Sequence, residues 1–280
     1  MSLSDATPSK FAGVSLERPL IMGIVNVTPD SFSDGGETPN AAAAVERGRL
    51  MIDQGADILD IGGESTRPGA EPVSLDEELA RVVPVIETLA AEGACISVDT
   101  RNAPVMAAAI KAGAAIVNDV TGLQGDGQSL KTIAASNVSV VLMHMQGDPR
   151  TMQETPHYED VVGEVGGYLI TRINACEQAG ISRDRIAIDP GIGFGKTLEH
   201  NLELLRNLGA FARLGCPLVL GVSRKSLIGQ LSGQEDAGRR LPGSLAAALN
   251  GVSRGASILR VHDVAETRQA LDVWSAIGKS

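Results

Sequence analysis

A single closed barrel of eight parallel β-strands, each followed by a helix, is the fold predicted by three features of this 280-residue sequence. Short runs rich in Ile, Val and Leu alternate with longer segments of helical spacing, the signature of parallel βα units. Eight such runs fit along the chain, and they are near-continuously apolar rather than alternating, as a parallel sheet covered on both faces requires. Polar residues stand at or just beyond the C-terminal ends of these runs, which in an α/β barrel meet at one mouth.

The predicted strands are Leu20 to Val25, Ile58 to Gly62, Ile96 to Asp99, Ile116 to Asn118, Val138 to His144, Ile186 to Asp189, Leu218 to Val222 and Ile258 to Val261. Helical spacing marks Ala41 to Gln54, Leu75 to Ala91, Pro104 to Ala112, Ser129 to Ala135, Tyr158 to Ala179, Leu198 to Leu208, Gly243 to Arg254 and Ala265 to Ile277. Gly55, Gly113, Gly180 and Gly209 fall where a helix C-cap calls for positive φ. No Pro-, Gly- or Ser-rich linker divides the chain, and α/β barrels run to about 250 residues as one domain. The expected organisation is a short N-terminal extension, 1–18, and one (β/α)8 barrel, 19–280.

Composition excludes several classes. A formal charge of −10 and only 2% aromatic residues leave neither a cationic surface for phosphate backbones nor stacking platforms for bases, so no nucleic-acid partner is expected. No run reaches the roughly 18 apolar residues of a membrane span, and residues 1–10 lack a signal-peptide pattern; a cytoplasmic protein is expected. Cys95, Cys176 and Cys216 are scattered, with no zinc spacing, and read as reduced packing residues.

The strand ends carry the chemistry. Asn26 follows the first run, Glu64, Thr66 and Arg67 the second, and Asp99 and Asn118 end the third and fourth. Met143 and His144 end the fifth, Asp189 the sixth, Lys225 follows the seventh, and Arg260 and His262 close the eighth. Any one could be a helix cap; polar ends on every strand are poorly explained that way. Pro190 keeps Asp189 extended, so its carboxylate must find donors in the mouth. Arg260 and His262 are two apart, project to one side and read as an anion site, the plainer alternative being surface pairing with Asp263 or Glu266. Gly191 to Thr197 imitates a phosphate loop but has Pro190 where the first glycine is required, and Lys196 spoils a dinucleotide fingerprint.

Taken in order, Met22 to Gly36, Gly63 to Gly69, Ser97 to Thr100, Asn118-Asp119, Met143 to Met145, Asp189 to Lys196, Ser223 to Ser226, Gly243 to Leu245 and Arg260 to Asp263 resemble the dihydropteroate synthase family. The resemblance covers about residue 20 to 264. It implies a TIM barrel that joins a dihydropterin-methyl diphosphate to 4-aminobenzoate, releasing pyrophosphate by a dissociative path. It further implies that Asp99, Asn118, Asp189 and Lys225 hold the pterin, with Met143 against its face. Asn26, Arg260 and His262 would meet the diphosphate, with Mg2+ between it and Asn26. Asp34 on one glycine-bearing lid and Thr66, Arg67 and Pro68 on another would close the site, and Phe194, Lys225 and Ser226 would border the aminobenzoate pocket. Lys225, Arg260, His262, Asp34 and Arg67 are the expected catalytic groups, and a homodimer through the outer helices is implied. Gln146 and Asp148 depart from the family pattern and put substrate contact by their loop in doubt. The competing readings are a pterin-binding methyltransferase domain, which has no use for Lys225 or the Arg260 and His262 pair, and a non-catalytic pterin-binding paralogue.

Overall fold

The computed structural model describes residues 8–28, 39–64, 73–148 and 151–278. Lys10–Phe11 (β1) and Val14–Ser15 (β2) form a small antiparallel hairpin ahead of the barrel. The barrel strands are Leu20–Asn26 (β3), Ile58–Gly62 (β4), Ile96–Asp99 (β5), Ile116–Asp119 (β6), Ser139–Met143 (β7), Ile186–Asp189 (β8), Val219–Leu220 (β9) and Ile258–Val261 (β10). They pair in parallel from β3 through β8, with β10 lying between β3 and β9. A bridge between Ile188 and Leu218, and Ile188 N–H donating to the Pro217 carbonyl at 2.9 Å, join β8 to β9 and close the ring. The expected fold is the observed one.

Around the barrel lie Pro39–Asp53 (α1), Leu75–Ala91 (α2), Ala103–Ala112 (α3), Ser129–Ala134 (α4), Val161–Gln178 (α5), Leu198–Arg206 (α6), Leu208–Ala212 (α7), Ser226–Ser232 (α8), Leu241–Ser253 (α9) and Val264–Gly278 (α10). Three expectations need correcting. Helix α5 starts after Asp160, whose carboxylate caps the Gly163 N–H at 3.0 Å, so Tyr158 stays outside the helix. The predicted helix Leu198 to Leu208 breaks at Asn207 into α6 and α7; Gly209 therefore lies inside a helix rather than capping one. Helix α8 was not expected, because its seven residues, with Gly229 inside and Gly233 at the C-cap, are too short to carry a clear period.

Alternation along the strands decides what each residue meets. Ile21, Val25, Leu59, Ile61, Val98, Val117, Leu142, Ile188 and Leu259 face the helices in the main core. Leu20, Met22, Ile58, Ile116, Val141, Ala187, Val219 and Ile258 face inward and fill the lower half of the barrel. Phe11, fully buried, packs among them. The hairpin thus plugs the barrel floor, and Arg18 beside it pairs with Asp57. Continuing upward on the same inward parity gives Asp60, Asp99, Asn118, Met143, Asp189 and Arg260. The interior is apolar below and polar above.

Cys176 and Cys216 are buried and Cys95 half-buried, all three free. Burial pushes their thiols up to about 11 or 12, away from the reactive thiolate. No helix among the described residues is long and apolar enough to cross a membrane. Because Phe11 is fully buried among the floor residues, Phe11→Ala should leave a cavity and destabilise the fold by about 3 kcal/mol or more. Urea unfolding measures this, and a change below about 1 kcal/mol would show that the hairpin is not part of the core.

Candidate active site

The site sits where the polar half of the barrel opens, around a cavity at the mouth. Its walls include Asp99, Asn118, Met143, Asp189, Phe194, Lys225, Arg260 and His262. Seven strands or their following loops are represented, so residues spread over most of the sequence become neighbours. Of the other residues singled out from the sequence, Asn26 ends β3 half-buried, and Ser226 is exposed on the first turn of α8; neither is among the cavity walls. Asp34, Thr66, Arg67 and Pro68 lie outside the described residues.

Arg260 organises the centre. Its Nε donates to Asp60 Oδ2 at 2.6 Å and its Nη2 to Asp99 Oδ2 at 2.7 Å. Asp60 Oδ2 also accepts from Asn118 Nδ2 at 3.0 Å. A carboxylate can only accept, so this bond fixes the Asn118 amide and leaves its oxygen as the acceptor offered to the cavity. Burial works against the Arg260 cation, but Asp60 and Asp99 outweigh it and hold the guanidinium above its usual range. The plainer alternative for Arg260, a surface pair with Asp263 or Glu266, is not what forms: Asp263 is held by Arg224 and Arg260 turns into the barrel. Nor is Arg260 a free anion donor, since two of its nitrogens already serve carboxylates.

Asp99 is buried, and desolvation pushes its carboxyl up to about 7; Arg260 opposes the shift and Asp60 adds to it. Asp189 is raised likewise by burial, partly offset by the Gly191 N–H that donates to Oδ1 at 2.7 Å. Lys225 precedes α8. Its Nζ donates to the Ile192 carbonyl at 2.8 Å and stands 3.9 Å from the centre of the Phe194 ring, a cation–π distance. Desolvation pushes Lys225 down to about 7 despite Asp189 nearby. Its placement comes from the turn before it: Arg224 adopts a φ of 59°, and its N–H donates to Ser244 Oγ at 2.9 Å. The Ser223 to Ser226 and Gly243 to Leu245 segments are thus one structural unit. His262 Nδ1 lies 3.0 Å from Ser223 Oγ, which also accepts the His262 N–H at 3.2 Å.

Sequence reading missed Asp60. A carboxylate inside Ile58-Leu59-Asp60-Ile61 was the available signal: it has no exposure at all, yet its Oδ1 has no hydrogen-bond partner in the protein. Gln146, by contrast, bonds the backbone of His157 through both amide atoms, at 3.0 and 3.1 Å. It closes its own loop.

Residues 22–262 match the family described as "Pterin binding enzyme". The dihydropteroate synthase of Neisseria meningitidis serogroup C is 52% identical over 95% of both chains. That of Escherichia coli K12 is 50% identical over 94% of this chain and 93% of its own. The chain belongs to the dihydropteroate synthase family. Among solved structures, the Xanthomonas albilineans synthase with 4-aminobenzoic acid superposes with a TM-score of 0.91 at 51% identity, over 96% of this chain and 97% of that one. A second structure of that synthase, in complex with 7,8-dihydropteroate, gives 0.87 at 48% identity over 95% and 96%. Similarity of this extent takes in every strand that builds the mouth.

Asp99 keeps its proton in the folded protein up to about 7 against 3.8 for an unperturbed group, so folding takes up a proton between those values and the Asp99 contribution to stability falls as pH rises through that window. Asp60→Asn removes a neighbouring negative charge and should lower the Asp99 pKa, which carboxyl 13C titration by NMR would follow. An unchanged or higher Asp99 pKa would contradict the assigned coupling.

Proposed function

We infer that this barrel mouth joins (7,8-dihydropterin-6-yl)methyl diphosphate to 4-aminobenzoate, giving 7,8-dihydropteroate and pyrophosphate. The observation that carries the reading is the donor and acceptor set around the cavity. A pterin edge presents an amino group and ring N–H donors next to acceptors. Asp99, the Asn118 oxygen and Asp189 accept; Lys225 donates. Met143, buried at the end of β7, gives the ring an apolar face.

In this reading the methylene–oxygen bond breaks first, its electron pair leaving with pyrophosphate. The pterin-stabilised cation is then attacked by the arylamine nitrogen, which loses a proton. Such a path asks for fixed charges rather than a covalent nucleophile, and Asp99 and Asp189 lie beside the developing positive charge. Lys225 Nζ, held between Ile192 O and the Phe194 ring, stands where the two substrates would meet. The leaving diphosphate is assigned to Asn26, Arg260 and His262.

Mg2+ fits this mouth only as a companion of that diphosphate. Asn26 offers a single neutral oxygen, and no trio of His, Cys, Asp or Glu able to hold a metal occurs among the described residues; Mg2+ is commonly bound by few protein groups plus substrate phosphates. Asn26 would hold it, and when bound it would neutralise charge on the departing oxygens. The need is physical, since much of the Arg260 charge is taken up by Asp60 and Asp99. The same reading includes the cytoplasm, where three free thiols persist, and pairing of two copies through outer helices such as α10, on which Val273 and Ile277 stand exposed.

Incubating the protein with the pterin diphosphate, Mg2+ and 4-aminobenzoate should release pyrophosphate, and no release would sink the reading. Lys225→Ala should lower kcat/KM by about 10²; a wild-type value would remove Lys225 from the site. Asp189→Asn turns half of an acceptor pair into a donor, and should weaken calorimetric binding of the pterin substrate by tenfold or more, roughly one lost charge-assisted hydrogen bond.

A further inference from the structure

The glycine-rich segment after β8, rejected above as a phosphate loop, contains a lysine that the reaction has not used. Lys196 is 3% exposed and is not among the walls of the mouth cavity. Its Nζ lies 3.0 Å from His144 Nδ1, donates to the Phe194 carbonyl at 3.0 Å and reaches the His144 carbonyl at 3.4 Å. All three partners are uncharged when His144 is neutral. Burying an ammonium among such partners is costly: desolvation, outweighing the opposing field of Asp189, pushes Lys196 down to about 7, and burial pushes His144 down to about 3. A lysine kept at that cost has a structural target, and the target is the backbone of Phe194.

The loop has little freedom otherwise. A Cβ on Gly191 would come within 1.9 Å of the His144 carbonyl oxygen, and one on Gly195 within 2.4 Å of the Gln146 carbonyl oxygen. The segment therefore lies flat on the chain leaving β7, and Tyr158 Oη tethers it by donating to the Gly195 carbonyl at 2.9 Å. Between these two contacts the Phe194 N–H turns back onto the Gly191 carbonyl at 3.1 Å, and the ring meets Lys225 Nζ. The Lys196 ammonium is the link from the end of β7 to the carbonyl of Phe194 itself.

We propose that Lys196 is a positioning residue for the arylamine side of the site: by holding the Phe194 carbonyl against His144, it sets the Phe194 ring under Lys225 and so shapes the wall that the second substrate meets. It touches neither substrate. The proposal rests on the function inferred above for what that wall binds, but not for the geometry of the wall. A lysine that served only to stabilise the fold would affect both substrates alike when replaced.

The test uses Lys196→Met, close in length and unable to donate, and His144→Leu, which removes the imidazole and leaves Lys196 in place; circular dichroism checks that each folds. By NMR, the ring current of Phe194 should shift the Lys225 ε-methylene protons upfield in the wild type, and this shift should shrink in both variants. In steady-state assays Lys196→Met should raise KM for 4-aminobenzoate about tenfold while calorimetric affinity for the pterin diphosphate stays within about twofold. Lys196→Met combined with Phe194→Leu should be little worse than Phe194→Leu alone, as coupled neighbours are non-additive. An upfield shift unchanged in both folded variants overturns the proposal whatever the enzyme's activity, as does an equal loss for both substrates. If Lys196→Met does not fold, the His144→Leu shift and KM decide alone. Absence of pyrophosphate from the wild type would count against the inferred function, while the NMR comparison would still decide the role of Lys196.

Discussion

Three carboxylates, Asp60, Asp99 and Asp189, are buried inside one barrel, and the structure depends on how Arg260 makes that tolerable. A lone buried carboxylate is costly unless paired or protonated. Arg260 serves two of the three through separate nitrogens, and Asp189 is served by a backbone N–H and by the field of Lys225. Because Arg260 comes from the last strand and Asp60 and Asp99 from the second and third strands of the barrel, the bridge spans the barrel interior beside the β10 and β3 pair. Site electrostatics therefore tie the last strand of the barrel to its second and third.

The bridge also explains why the mouth is specific rather than merely polar. Asp60 makes no wall of the cavity, yet through one oxygen it orients both the Asn118 amide and the Arg260 guanidinium. Orientation of this kind is what lets a site prefer one pattern of donors and acceptors over another, since a mismatched ligand leaves buried groups unpaired. On the far side, Lys225 is placed by a left-handed Arg224, an Arg224 to Ser244 bond and an ion pair with Asp263. Residues that never face the cavity thus position those that do, and several of them were visible in the sequence only as parts of motifs without a role.

Much of the barrel could be read from the chain because one physical rule, burial of both faces of a parallel sheet, writes the same pattern at each strand. Predicted and observed strands agree to within a residue or two, with β9 the shortest relative to expectation. What misled the helix boundaries was capping: Asp160 and Asn207 interrupt helical spacing without changing the apolar pattern around them. The inward polar residues were found at strand ends, where loops begin, but Asp60 was missed because it lies one turn of the pleat deeper, among residues that read as core.

The sequence by itself determined the alternation of strand and helix, the count of eight, and the residue types gathered at the mouth, because these follow from local periodicity and from which end of a parallel strand faces outward. Which of those residues pair with one another was decided only by tertiary structure. Arg260 could have met Asp263, three residues further along the chain, and instead reaches Asp60 and Asp99 across the barrel. Lys196 could have been a surface lysine in a polar loop, and is instead buried against His144. In both cases the outcome is set by distance and desolvation in three dimensions, quantities that spacing along the chain does not contain.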